Sequence, residues 1–319
     1  MTLDAMRCFC AVVDHGSFRL AGEAVHRSQP AVTQQIQGLE REFGQILLDR
    51  KTCTPTAAGQ VVYERGSKLL LAAEGLHTEI ADFEESDARE LVVGTSDTNA
   101  LYFLPEHVSA FARAMPRTHL VVHCRSSDAV ADGVQHGELD LGIVTLPTDR
   151  EALETRQLFE QRLILAAPKA HPLAKQQRTS LSRLQGETFV LMHEDTRTGR
   201  LLRDYFGRQG FNPQVVMDSG SFEVIKQYVA SGVGLSIIPE MVLRPHDRET
   251  IAALNLAGLP RVAIGAIWRK DAYQTKAARA FLDEISPSIR RIPPTKGRKA
   301  RRTSSRGSRD KPRRRDLSR

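Results

Sequence analysis

The segment from Ser28 to Phe43 carries two patterns on one helical period, and this doubling constrains the chain more than any other feature. At about 100° per residue Val32, Ile36, Leu39 and Phe43 fall in one narrow stripe, whereas Thr33, Gln34, Gln37 and Arg41 point away from it. The outward face is built of amides and a hydroxyl rather than the Glu and Lys of an ordinary solvated helix. Gln can satisfy adenine through two bonds in the major groove, and Thr can bond a base edge or touch a thymine methyl. Such a face suits base reading. Ser28 stands at the N-cap and Pro30 in the first turn, where a missing N–H costs nothing.

Upstream, Leu3, Met6, Phe9, Cys10 and Val13 repeat at helical spacing, Gly16-Ser17 breaks and recaps the chain, and Phe18, Ala21 and Val25 begin a second short helix. Helix, short helix, turn and capped helix within about 45 residues is the helix-turn-helix plan. A small helical bundle without a DNA role has the same outline. Beyond Phe43 come Gly44, Leu47, Leu48, Asp49, Arg50, Thr56 and Ala57-Ala58-Gly59. The ordered series Phe9, Val13, Gly16-Ser17-Phe18, Ala21, Ser28-Gln29-Pro30-Ala31-Val32-Thr33, Ile36, Leu39-Glu40, Gly44, Leu47, Arg50, Thr56 and Ala58-Gly59 resembles the winged helix-turn-helix of LysR-type transcriptional regulators. The resemblance implies that Gln29, Pro30, Thr33 and Gln34 enter the major groove of double-stranded promoter DNA, with Gln37 and Arg41 on the same face. It also implies that Arg50 on the wing reaches phosphate or the minor groove. Two departures stand out: Leu48 replaces the family's usual Phe, and the wing between Arg50 and Thr56 is short.

Residues 59–85 read as one long helix, with Val62, Leu69, Leu76 and Phe83 at one seam position and Gly66, Ala73 and Ile80 at the other. Small residues alternating with large ones let two helices approach closely, so a dimerisation helix is expected, and a dimer suits two DNA half-sites. A helix packed on its own domain is the competing reading.

From residue 90 the chain alternates strands and helices twice over, which implies an α/β domain with mostly parallel sheets. The first copy has a strand at Leu91 to Gly94, the loop Thr95 to Asn99, a helix over 100–114, strands at Leu120 to Cys124 and Leu139 to Val144, and Ser126-Ser127-Asp128 before a helix between them. The second has a strand at Phe189 to Met192, the loop His193 to Gly199, a helix through Leu202 and Phe206, a strand near Val215-Val216, Gly220-Ser221, a helix through Ile225 and Val229, and a strand at Leu235 to Ile238. Ligands of such sheets bind beyond the carboxyl ends of strands. Together with Leu139-Asp140-Leu141-Gly142-Ile143 and Ser231-Gly232-Val233-Gly234-Leu235, this arrangement resembles the two-lobed, periplasmic-binding-protein-like effector domain of the same family, with crossings near Arg162 to Ala166 and Val262 to Trp268.

The resemblance implies a small-molecule effector between the lobes. The candidates are Ser96, Thr98, Asn99, Ser126, Ser127 and Thr145 on the first lobe and Thr196, Arg197, Ser221 and Phe222 on the second. Ser, Thr and Asn also cap helices everywhere. Arg197 and Arg200 hint at an anionic effector. The organisation is then a winged helix-turn-helix over 1–58, a dimerisation linker helix over 59–88, an effector-binding domain over 89–292 and a disordered basic tail over 293–319. The first lobe takes about 89–162 and 267–292, and the second about 163–266.

Cys8, Cys10, Cys53 and Cys124 form no CxxC and no paired metal spacing, and no secretory or membrane segment is evident, so a reduced, cytoplasmic protein is expected. Cys124 ends a strand beside the cleft, either as a small apolar filler or as a redox sensor. There is no P-loop, HExxH, GxSxG or complete GxGxxG after a strand, and Gly232-Val233-Gly234 reads as a turn. His193-Glu194-Asp195 are adjacent and do not converge on one ion, so neither a metal nor a cofactor is expected.

The reading is a transcriptional regulator that is not an enzyme, dimeric or tetrameric, switched by an effector and acting with RNA polymerase. Its rivals are a solute-binding or enzymatic α/β protein whose helical head serves assembly, and nonspecific nucleic-acid packaging by the tail. Of the formal charge of +7, residues 290–319 contribute +12 through 14 Lys/Arg and 2 Asp/Glu, which leaves −5 for the rest, while residues 1–51 balance 6 basic against 6 acidic side chains. The reading head is neutral. Phosphate neutralisation supplies much of the free energy of DNA binding, at a salt slope near −0.9 per contact. If about five tail cations replace counterions, truncation after Pro293 flattens the log affinity versus log salt plot by about 4.5. Specific and nonspecific DNA weaken together, because a segment that meets phosphates carries no base code. An unchanged slope makes the tail a bystander.

Overall fold

The computed structural model describes residues 1–83 and 90–286. The basic tail, the end of the linker and the seam side chain of Phe83 lie outside the described residues. Three helices open the chain, α1 (Leu3–His15), α2 (Phe18–Ala24) and α3 (Gln29–Phe43). Thr2, Ser17 and Ser28 cap them through their hydroxyls, and Gly16 and Gly44 close α1 and α3 in the left-handed conformation that suits glycine. Phe9, Val12, Ala21, Val32, Ile36, Leu39, Leu47 and Leu48 form a core of their own. Phe43, expected on the core stripe, is instead 41% exposed, because α3 ends beside it and no further turn covers the ring. The wing is one antiparallel bridge, Leu48 to Pro55, closed by the turn at Asp49, and Leu48 is fully buried there.

The linker helix α4 (Ala57–Phe83) starts two residues earlier than expected, with the Gly59 N–H donating to Thr56 Oγ1 at 3.0 Å. Its seam is divided. A Cβ at Gly66 would lie 2.2 Å from Met6 Sδ, so the small residue admits α1 of the same chain rather than a second helix. Val62 is likewise packed on the head's core, whereas Leu69, Leu76 and Ile80 are exposed.

The α/β region runs β1 (Glu90–Thr95), α5 (Asp97–Tyr102), α6 (Leu104–Ala114), β2 (His119–Cys124), α7 (Ser127–His136), β3 (Leu141–Thr145), β4 (Leu153–Pro168), β5 (Arg178–Thr179), β6 (Thr188–Met192), α8 (Arg197–Arg208), β7 (Gln214–Ser219), α9 (Phe222–Ala230), β8 (Ser236–Pro239), β9 (Ile251–Leu256), β10 (Arg261–Arg269) and α10 (Lys276–Ile285). The single helix expected over 100–114 is two, since Pro105 lies in the first turn of α6 and favours a fresh start there.

Strand order is β2-β1-β3-β10-β4-β9-β5, with β8 also on β4 and β6 paired to β7. Sheets expected to be mostly parallel are mixed: β1–β2, β1–β3, β5–β9 and β6–β7 are parallel, while β10 runs antiparallel to β3 and β4, as do β8 and β9 to β4. The antiparallel pairs arise where the chain changes lobe. β4 pairs with β10 from Leu153 to Arg162 and with β8 and β9 from Leu163 to Pro168, so one strand serves both lobes. All of β10 pairs within the first lobe, which moves the return crossing to the turn before Arg261 and takes 261–266 out of the expected second lobe.

Gly59 anchors linker to wing: a Cβ there would stand 1.9 Å from the Leu47 carbonyl oxygen, which is backbone and cannot rotate away. Gly59→Ala is expected to destabilise the N-terminal domain by about 1–3 kcal/mol in urea unfolding, the usual cost of overpacking. An unchanged midpoint contradicts the packing.

Candidate functional site: the reading helix and the interlobe cleft

On α3 the residues expected to read bases are open to solvent: Gln29, Pro30, Gln34, Gln37 and Arg41 are exposed and Thr33 is half-buried. Thr33 Oγ1 donates to the Gln29 carbonyl at 3.0 Å, which leaves its methyl and lone pairs for a base edge. Arg41 Nε donates to the Gln37 carbonyl at 3.2 Å. Arg50 departs from expectation. Its Nη2 donates to Glu40 Oε2 at 2.5 Å and its guanidinium lies 5.6 Å from the Phe18 ring centre, while Glu40 Oε1 accepts the Leu47 N–H at 3.0 Å. Glu40 therefore ties wing to reading helix, with Arg50 paired to it yet still exposed on the surface.

In the α/β region the predicted residues divide into joiners and caps. Ser127 Oγ accepts the Thr145 N–H at 3.1 Å, and the Thr145 carbonyl accepts from Arg197 Nη1 at 3.1 Å, so three of the candidates form one chain across the lobes. Ser96, Ser126 and Thr196 cap α5, α7 and α8, respectively. Asn99 is buried, and its Oδ1 accepts from Gln161 Nε2, which β4 supplies at the crossing, at 3.4 Å. Thr98 is half-buried beside it. Ser221 precedes α9 without a side-chain capping bond, its N–H donating to Ser219 Oγ at 3.2 Å. Phe222 is buried in the second lobe's apolar cluster with Ile164, Val190 and Val229, the cluster that Tyr102 of the first lobe also packs against.

The partner of Arg197 is the residue whose role the sequence did not announce. Asp128 Oδ1 accepts from Arg197 Nε at 2.9 Å and Nη2 at 2.7 Å, and Oδ2 accepts from Arg200 Nη2 at 2.6 Å. Burial pushes the Asp128 carboxyl up, but the hydrogen bonds from Arg200 and Arg197 outweigh it and hold the pKa below the ordinary value. Folding stability from this cluster is therefore present above the ordinary carboxylate pKa and lost as pH falls through the depressed value. A second contact was equally silent. Tyr102, from the first lobe, enters the second lobe's apolar cluster and donates to Glu223, while Lys226 Nζ donates to Tyr102 Oη at 2.8 Å, the Val242 carbonyl at 2.9 Å and Asp247 Oδ2 at 2.9 Å. Arg244 stacks 4.9 Å from the Tyr102 ring centre and donates to the Leu101 carbonyl at 3.2 Å.

Cys124 is exposed at the end of the edge strand β2, which removes the apolar-filler reading. Desolvation, aided by Asp97, raises its thiol pKa. Among the described residues no group of three or more His, Cys, Asp or Glu could hold a metal, and no helix is long and apolar enough to cross a membrane.

Two family models match the chain: "Bacterial regulatory helix-turn-helix protein, lysR family" over residues 3–60 and "LysR substrate binding domain" over residues 84–289. The HTH-type transcriptional regulator CysL of Bacillus subtilis is 30% identical over 266 residues, 82% of this chain and 89% of that protein. A probable RuBisCO transcriptional regulator of Trichormus variabilis is 28% identical over 300 residues, 90% of this chain and 88% of its own length. A full-length OxyR variant from Pseudomonas aeruginosa has the same fold, with a TM-score of 0.69 at 24% identity over 89% of this chain and 94% of that one. With a LysR helix-turn-helix at its start and a LysR substrate-binding domain covering most of the remainder, the chain belongs to the LysR family of DNA-binding, effector-responsive transcriptional regulators.

Proposed function

We propose that the chain reads promoter DNA through Gln29, Pro30, Thr33, Gln34, Gln37 and Arg41, and that a small-molecule effector seated between the lobes sets the outcome of that binding. Arg50 acts in this scheme first as a brace to Glu40 and contacts DNA only if that pair opens. The observation that carries the effector reading is the chain Ser127, Thr145 and Arg197, in which donors and acceptors of both lobes meet. Ser96, Thr98, Ser126, Thr196 and Ser221 add hydroxyls near the same strand ends, where α/β sheets bind ligands. Asn99 acts through Gln161 as a support. The exposed upper seam of α4, Leu69, Leu76 and Ile80, favours a homodimer or homotetramer, and a symmetric dimer presents two reading helices to two half-sites. RNA polymerase is the expected protein partner and the cytoplasm the expected setting.

Two variants test head and cleft against each other. Gln34→Ala removes an exposed side chain, so folding is untouched while specific DNA weakens by about 1–3 kcal/mol and nonspecific DNA does not. Thr98→Val keeps DNA affinity and loses the shift in promoter retardation by a ligand first found by thermal shift against a metabolite panel. Such a ligand at about 100 times its Kd adds about 2.7 kcal/mol of stability. Unchanged site preference in the first variant refutes the groove assignment, and a normal ligand response in the second refutes the cleft.

A further inference from the structure

Away from the β4 crossing, the described residues fasten the lobes to each other at two places of unlike chemistry. At the first, Lys226 is 2% exposed and Asp247 8%, with Tyr102 inserted between Lys226 and Arg244. Lys226 and Asp247 both belong to the second lobe; what crosses is Tyr102, and withdrawing its hydroxyl would leave the buried Lys226 ammonium short of an acceptor, which is costly. At the second, Asp128 joins Arg197 and Arg200 with side-chain exposures of 40%, 15% and 49%. Exposed ion pairs are weak and exchange cheaply with solvent ions. The Tyr102 end holds while the Asp128 end can let go.

The second fastening has a further property. Each guanidinium keeps a separate bond that does not involve Asp128: Arg197 Nη1 donates to the Thr145 carbonyl at 3.1 Å and Arg200 Nη1 to the Asp195 carbonyl at 3.0 Å. Both groups would stay aimed if the carboxylate left. One carboxylate also faces two guanidiniums, leaving an excess positive charge. The neighbouring acids are engaged elsewhere, Glu194 and Asp218 with Arg203 and Asp195 with His193. Two prepositioned guanidiniums holding two oxygens of one planar group are a receptor for an oxyanion, and arginine suits that task through its fixed fork of donors.

We infer that Asp128 is a built-in stand-in ligand: its carboxylate occupies the place at which an oxyanion of the effector binds Arg197 and Arg200, and the effector enters by displacing it. This rests on the proposed cleft and adds the chemical class of what enters it, a carboxylate or a tetrahedral oxyanion. It also gives the cleft a resting state that is closed without ligand. Exchange then frees the Asp128 carboxylate from α8, while Arg197 keeps its bond to the Thr145 carbonyl and Tyr102 and Lys226 keep the far end shut.

Calorimetric titration of the full chain with sodium sulfate and with sodium acetate, at ionic strength fixed with sodium chloride, tests this. Asp128→Asn removes the internal competitor and is expected to bind at least one of the two anions about tenfold more tightly than wild type, equivalent to a competitor worth about 1.4 kcal/mol. Adding Arg197→Gln to that variant abolishes the gain. The stronger of the two probes separates a planar from a tetrahedral effector group. If Asp128→Asn unfolds below the assay temperature, Asp128→Ser, which keeps a small polar residue in the first turn of α7, takes its place. Equal anion affinity in wild type and variant, or a gain that survives Arg197→Gln, overturns the inference. An Asp128-dependent gain beside a normal effector response in Thr98→Val would relocate the effector and leave the stand-in standing. A lost Thr98 response with no Asp128 dependence would keep the cleft and refute the stand-in.

Discussion

Strand β4 is the constraint on which the arrangement of the effector region depends. From Leu153 to Arg162 it pairs with β10 in one lobe, across one bulge at Leu158, and from Leu163 to Pro168 with β8 and β9 in the other, so the lobes share a backbone ladder rather than a flexible tether. A ladder resists stretching and shear but permits twist about the strand. Gln161, buried against Asn99, marks the crossing between the lobes. The end of β3 and the starts of α7 and α8 are brought together, as the bonds from Arg197 to the Thr145 carbonyl and to Asp128 show.

The two cross-lobe contacts differ through burial. Lys226, enclosed by Tyr102, Asp247 and the Val242 carbonyl, has its pKa lowered by desolvation and raised more by those hydrogen bonds, with a net rise. The charged form is thereby favoured in the folded protein. The Asp128 pairs gain less and cost less to break, because water can replace them. An asymmetry of this kind lets a ligand act at the weaker end while the stronger end holds.

The N-terminal domain was legible in the sequence because its determinants are local. Caps at Ser17 and Ser28, glycines at 16 and 44 and the stripe Val32, Ile36 and Leu39 act within a few residues, and each does what its spacing predicts. Helix periodicity failed where the end of an element or a distant neighbour decides. Phe43 keeps the period but lies past the last covering turn. Gly66 keeps the heptad but faces Met6, sixty residues earlier. In the cleft the polar character of Ser127, Thr145 and Arg197 was readable, whereas the pairing of Arg197 with Asp128 and of Lys226 with Tyr102 joins residues 69 and 124 positions apart. Only the sheet order brings them together. In the sequence Asp128 is one more polar residue at a helix start. The antiparallel return of β10 was equally invisible, since strand direction is set by the crossing and not by composition.

A cleft that is fastened for good at the Lys226 end and provisionally at the Asp128 end makes a claim about local stability, and native-state hydrogen exchange on the full chain tests it most directly. Amides in the first turns of α7 and α8, such as Val130 bonded to the Ser126 carbonyl and Arg200 to the Thr196 carbonyl, are predicted to open together at a lower free energy than those of α9 and of Asp247. Protection that is equal at both ends, or weaker around Lys226 than around Asp128, would contradict the account.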